Sequence, residues 1–296
     1  MKALKKVKLT PLFVGIFVCF SGCATMQNTM KQITINTMVP VLDDVNDAIF
    51  RENDLNLVRE GLPGNMLMVE GMARSSPDNY YILVMAARAF AGYGILLEDK
   101  DPEHASALYL KGRDYGMRAL KQHSGFSYAL EEGTPFHEAI KLVDDEGYID
   151  ALLWTGLCWG QQINLNLNDP MVVVSVTDVK AIMEQVMAID DTYFYGMAHI
   201  FFGSYYATLP SIFGGGTEMS EAEFNKAFEI SDGKFLLAKL YYARFYAPLV
   251  VDEKLFEREL NEVLEAPSDA LPEVVLLNEI AKAKARIFLK NEKQYF

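Results

Sequence analysis

Apolar residues recur at intervals of three and four along nearly the whole chain, and no segment sustains the every-second-residue alternation that a half-buried strand needs. That pattern restricts the chain to helices packed on helices, because each carries an apolar stripe that another must cover. Between His104 and Lys121, the set Ala105, Leu108, Tyr109, Gly112, Gly116, Ala119 and Leu120 falls on one such stripe, with Lys111, Arg113, Asp114 and Arg118 outside it. The small residues in the stripe let a neighbouring helix come close. One run, Met171 to Val176, is strand-like, yet Pro170 before it and Thr177 and Asp178 after it mark an ordered connection into a capped helix. With 51% hydrophobic residues over 296 positions, the chain can bury a sizeable core, which excludes disorder. A net charge of -13 argues against nucleic acid as a partner.

Helical pairs of the tetratricopeptide type place a small residue and, three later, an aromatic on their first helix. The second carries an aromatic and a small residue three apart, then a breaker. Gly203 and Tyr206, followed by Phe224, Ala227 and Asp232, follow this pattern. Gly156 and Trp159 with Met183, Val186 and Asp191 form a looser copy, as do Ala243 and Tyr246 with Leu260, Val263 and Pro267. An earlier pair spans Asn79 to Leu97 and Pro102 to Lys121, with Ala87 and Phe90 on its first helix. The breakers Asp191, Asp232 and Pro267 stand about one repeat apart, since such units run roughly 34 residues. A last helix from Pro272 to Leu289, with Leu276, Ile280, Ala283 and Ile287 on one face, caps the stack. The expected fold is all-α: tetratricopeptide-like hairpins stacked as a compact α-solenoid with a curved groove suited to binding.

The first residues read as an export signal over 1–22, with a basic stretch from Lys2 to Lys8 and an apolar run from Leu9 to Phe20 that is short for a membrane span. Ser21 and Gly22 then precede Cys23, an arrangement that resembles the lipobox of bacterial lipoproteins and implies a lipid on the Cys23 thiol. Phe20 stands where those boxes usually have an aliphatic residue. Ala24 in place of Asp implies outer-membrane retention. Residues 23–38, rich in Met, Thr, Asn and Gln, form a tether, and 39–296 form the repeat domain. With Cys19 removed and Cys23 acylated, only Cys158 remains, so no intramolecular disulfide is available and the core must hold the fold. The apolar neighbours of Cys158 mark a buried, inert thiol.

The run DLNLVREGLPGNMLMVEGMA at Asp54 to Ala73, followed by SSPDNYYILVMAARAFAGYG and ALYLKGRDYGMRAL, resembles the T-component proteins of tripartite ATP-independent periplasmic (TRAP) transporters. Further similar stretches are LPSIFGGG, FNKAFEIS, YYARFYA, LFERELNEVLEAP and LLNEIAKAKAR, in the same order. The segments Asn166 to Asp178 and Leu97 to Pro102 depart from the family pattern. The resemblance implies a periplasmic, trimer-forming lipoprotein with an apolar channel or groove that docks to the solute-binding P-component. Its membrane contact is through the N-terminal lipid only.

Two aromatic concentrations frame the candidate binding site. The helix from Ile149 to Leu165 is apolar on more than one side, so it is either wholly central or lines a cavity with Trp154 and Trp159. Between Tyr193 and Tyr206, one side carries Phe194, Phe201 and Tyr205, and the next carries Tyr195, His199, Phe202 and Tyr206. Tyr241, Tyr242, Phe245 and Tyr246 follow on the next repeat. We take Trp154, Trp159, Tyr195, His199, Phe202, Tyr206, Tyr242 and Tyr246 as the expected ligand-lining set, with an apolar small molecule as the ligand. The stretch Leu209, Pro210, Ser211, Ile212, Phe213, Gly214, Gly215 and Gly216 lengthens one connection, and its glycines permit positive φ and close backbone approach. It reads as a loop at the groove mouth or a subunit contact. Thr217 and Glu218 follow where a phosphate-binding loop needs Lys and Ser or Thr.

Signs of catalysis are scarce. His104, His123, His137 and His199 lack the spacing of a helical zinc site, Asp144 to Glu146 lack the ligand alternation of a calcium loop, and no Gly-x-Ser-x-Gly elbow occurs. No catalytic residue, metal or cofactor is expected. The leading expectation is a TRAP accessory subunit that binds the P-component and an apolar solute. The alternative is a periplasmic scaffold whose groove clamps peptide segments, which would show Asn, Lys and Arg along its wall.

Overall fold

The computed structural model describes residues 33, 34 and 37–296. The signal segment, Cys23 and most of the tether lie outside the described residues. Among those described, the chain is all-helical, without a strand. Helix α1 covers residues 37–50, and α2 (Leu55–Ser75) starts at Asp54, whose carboxylate caps the amides of Asn56 and Leu57. Asn79 caps α3 (Tyr80–Leu97), and Asp101 with Pro102 at the first position starts α4 (Pro102–Leu120). Short helices α5 (Ser124–Glu131) and α6 (Phe136–Ala139) lead to α7 (Ile149–Asn164).

Asp169 caps the four-residue α8 (Pro170–Val173) before α9 (Val176–Ile189), so the strand-like run starts as a helical turn, in keeping with its Asp-Pro start. Then come α10 (Tyr193–Thr208), α11 (Thr217–Ser231) and α12 (Leu236–Tyr241), which continues through a π-turn at Tyr242–Tyr246 into α13 (Ala247–Leu249). Helices α14 (Glu253–Glu265) and α15 (Val275–Lys290) complete the body. The expected breakers fall at helix ends: α11 stops at Asp232 in the left-handed conformation, and α14 stops just before Pro267.

Consecutive helices pack together, α3 on α4, α4 on α7, α7 on α9 and α10 on α11, while α15 covers α12 and α14. The small residues of α4 make one of these contacts possible. A β-carbon on Gly116 would lie 2.0 Å from Thr155 Oγ1 of α7. Helix α3 is apolar enough on all sides to match a membrane span in length and composition, and here it is sandwiched among α2, α4 and α7. Cys158 is fully buried, and burial pushes its thiol well above the usual range.

One ionic cluster ties the cap to the first pair. Lys284 of α15, 2% exposed, places its ammonium 2.7 Å from Glu98 and 2.5 Å from Asp99, while Tyr109 donates to Glu98 at 2.5 Å. Burial alone would lower the lysine's affinity for its proton, and the two carboxylates outweigh that and raise it.

Candidate functional site

Faces of several helices converge on one space. On α7 the facing stripe is Trp154, Leu157, Gln161 and Asn164, and on α10 it is Phe194, Met197, Phe201, Tyr205 and Thr208. The α7 set, and the α10 set from Met197 onward, follow the three-and-four spacing of a single helical face. Met85, Arg88, Gly92 and Ile95 of α3 join them, with Leu237, Tyr241 and Phe245 from α12 and the π-turn. Leu42, Val45, Ile49 and Phe50 of α1 close one side, and α2 and α15 supply further aliphatic residues. Together they enclose about 280 Å³. Arg88 is the one ionisable Lys, Arg, Asp, Glu or His in this wall among the described residues.

Arg88 is neutralised on the spot. Its guanidinium donates to Asp150 at 2.7 Å and lies 5.2 Å above the Trp154 ring. The same carboxylate oxygen accepts from Trp154 Nε1 at 3.2 Å and the Tyr193 hydroxyl at 2.8 Å, joining α3, α7 and α10 at this end of the cavity. Burial and the nearby Asp150 charge push the Tyr193 hydroxyl well above its usual range, so it stays a donor. Phe50, Trp154 and Phe194 meet edge-on or tilted with centroids 5.2 to 6.5 Å apart, a ring cluster that walls the cavity.

Phe194 reaches that cluster through an unusual backbone. Phe194, Tyr195 and Gly196 have φ of 48°, 60° and 70°, so a left-handed turn precedes the right-handed part of α10. Such conformations cost roughly 1–2 kcal/mol per non-glycine residue, and packing around Trp154 and Phe235 must hold this one in place.

Of the eight residues expected to line a ligand site, Trp154 lines the cavity and the other seven lie elsewhere. Trp159 packs edge-on against Phe136 under the Arg113 guanidinium. Tyr195 stacks on Phe235, and His199 Nδ1 meets Glu223 at 2.6 Å. Phe202 stacks on Tyr206, and Tyr242 stacks on Tyr246 while meeting Phe224 and Phe228. The aromatic face that meets the cavity on α10 is therefore the one bearing Phe194, Phe201 and Tyr205. The signal for choosing between the two faces was Gly203: a β-carbon there would come 2.7 Å from the Phe224 ring, so the face it shares with His199 and Tyr206 is the one pressed on α11.

The loop Leu209 to Gly216 follows directly from the cavity-lining Thr208. Pro210 precedes a single turn at Ser211–Phe213, Gly214 has φ 87°, and the Gly216 amide donates back to the Tyr206 carbonyl at 2.9 Å. Gly215 is required sterically, because a β-carbon would lie 1.9 Å from the Leu209 carbonyl oxygen. This folding leaves Ile212 and Phe213 85% and 69% exposed.

Such a site can withdraw apolar surface from water and hold it between rings; among the described residues no group of three or more His, Cys, Asp or Glu is arranged for a metal. No curated protein matches the chain. The family model for the TRAP transporter T-component matches residues 51–296, the segment that builds nearly all of this cavity, and the chain belongs to that family.

Proposed function

We propose that this T-component is a periplasmic lipoprotein, held through a lipid on Cys23 to the outer membrane, that docks on the solute-binding P-component of a TRAP transporter and gives an apolar solute a passage. The reading rests above all on the cavity wall, in which helices from successive pairs present aliphatic and aromatic side chains to one space. The run of helix-on-helix packing from α3 onward supports the reading of these pairs as tetratricopeptide-like repeats in a short solenoid. Burying on the order of 200 Å² of apolar solute surface contributes about 5 kcal/mol at 25 cal/mol per Å². That is enough to fill the cavity and weak enough to let the solute leave.

Asn46, Asn65, Gln161, Asn164 and the Asp150-paired Arg88 stand in a wall otherwise made mostly of aliphatic and aromatic side chains and without Lys, Asp or Glu, which favours a small apolar molecule over the scaffold alternative. Exposed Ile212 and Phe213, next to the cavity along the chain, offer the P-component an apolar anchor. The subunit is taken to form a homotrimer. Native mass spectrometry of the purified protein should find an apolar small molecule retained, and replacing Ile212 and Phe213 together by Asp should abolish capture of the P-component with solute binding unchanged. An empty protein that also fails to take up a neutral hydrophobic dye would overturn the solute reading.

A further inference from the structure

At one place in the largely apolar wall two uncharged polar side chains meet. Gln161 of α7 and Tyr241 of α12 both line it, and the Gln161 side-chain amide donates to the Tyr241 oxygen at 3.1 Å. Tyr241 is 7% exposed, and its own hydroxyl proton has no acceptor among the described residues. Turning the amide over, so that its oxygen accepts from the tyrosine, leaves both amide N–H groups unused instead. In either arrangement the pair has a surplus of donors in an apolar wall, and an unused buried donor is costly. An acceptor on the occupant of the cavity removes that cost.

The surrounding charge decides which acceptor fits. Around Tyr241 lie Glu98, Asp99, Lys284 and Arg244, two carboxylates against two cations, so these surroundings carry no net charge. Arg88, the one cation of the wall, is already paired with Asp150. An ionised head group would meet no net positive charge there and would lose its hydration. A neutral oxygen would meet donors and lose little.

We infer that the cavity selects a long-chain solute bearing one uncharged oxygen acceptor, such as an ester or ketone, which Tyr241 and Gln161 hold by hydrogen bonds in preference to bare hydrocarbon or to an ionised fatty acid. This rests on the reading that the cavity takes an apolar solute. The full mature chain is loaded with Nile red, and the dye is displaced by dodecane, methyl laurate or laurate at a pH where laurate is ionised. Methyl laurate should displace the dye at about tenfold lower concentration than dodecane, equivalent to about 1.4 kcal/mol, and laurate should be weaker than its ester. Tyr241→Phe, which keeps the ring, should erase the ester's advantage and leave dodecane unchanged, and Gln161→Leu should reduce that advantage. If wild type takes up neither Nile red nor dodecane, the solute reading itself falls. If both bind but the ester has no advantage, or keeps it in Tyr241→Phe, or laurate binds tightest, this inference alone is overturned.

Discussion

Replacing glycine by alanine should have opposite effects at two helical positions that face different surroundings. In a helix the exchange gains about 0.5–1 kcal/mol from backbone entropy alone. At Gly160 of α7, the new β-carbon would lie 3.5 Å from Val179 Cγ1 and 3.6 Å from the Phe201 ring, ordinary contact distances. The backbone gain then stands, with up to about 0.8 kcal/mol more from the buried methyl, so Gly160→Ala should stabilise by roughly 0.5–2 kcal/mol. At Gly203 of α10, the β-carbon would lie 2.7 to 2.9 Å from three atoms of the Phe224 ring. That ring is fully buried and packs against Tyr242, so it cannot turn aside. Overpacking of this kind costs typically 1–3 kcal/mol, which outweighs the backbone gain. The two variants should differ by about 1–4 kcal/mol, or on the order of 2–15 °C in melting temperature for a domain of this size. Urea unfolding followed by circular dichroism measures the free energies directly. Shifts of the same sign and similar size would refute the assignment of one face to the cavity and the other to packing. Gly160 also lines the cavity, so its alanine variant should take up less hydrophobic dye.

Three further outcomes follow from other parts of the molecule. Lys284→Met leaves Glu98 and Asp99 without their cation and should cost about 3–5 kcal/mol; denaturation at lower pH should recover part of it as the carboxylates protonate. In the wild type, the raised proton affinities of Lys284, Tyr109 and Cys158 all act in one direction. Their stabilising contribution is complete below the unfolded-state values and declines as pH rises past them, so unfolding free energy should fall from about pH 8.5 upward, whereas a flat alkaline profile would contradict the burial of these groups. Gly215→Ala should rearrange the Leu209 to Gly216 loop and weaken P-component capture in a pull-down while the helical circular dichroism signal stays within a few per cent of wild type.

The local features of this chain were legible in its sequence because local chemistry produces them. Helices α3 and α4 fall within the expected spans Asn79 to Leu97 and Pro102 to Lys121, and their starts are set locally, by caps at Asn79 and Asp101 and by a proline at the first position, which act within one turn. The small residues of α4 announced a close helix contact without saying which helix would make it. The aromatic surplus on α10 was likewise visible, but which of its two ring-bearing faces would meet the cavity was not settled by periodicity. The packing of Gly203 on Phe224 settles it by turning His199 and Tyr206 toward α11 and Phe201 and Tyr205 inward. A π-turn at Tyr242–Tyr246 has no signature in residue spacing; around it Tyr241 and Phe245 face the hollow while Tyr242 and Tyr246 stack outside it. The left-handed turn through Phe194 and Tyr195 runs against the intrinsic preference of both residues and exists only because surrounding rings hold it. Lys284 finds Glu98 across 186 positions. Amino-acid order alone determined the helices and their apolar stripes; the hollow, its polar pair and its ionic support come from contacts between helices distant in sequence, whose energies no local pattern encodes.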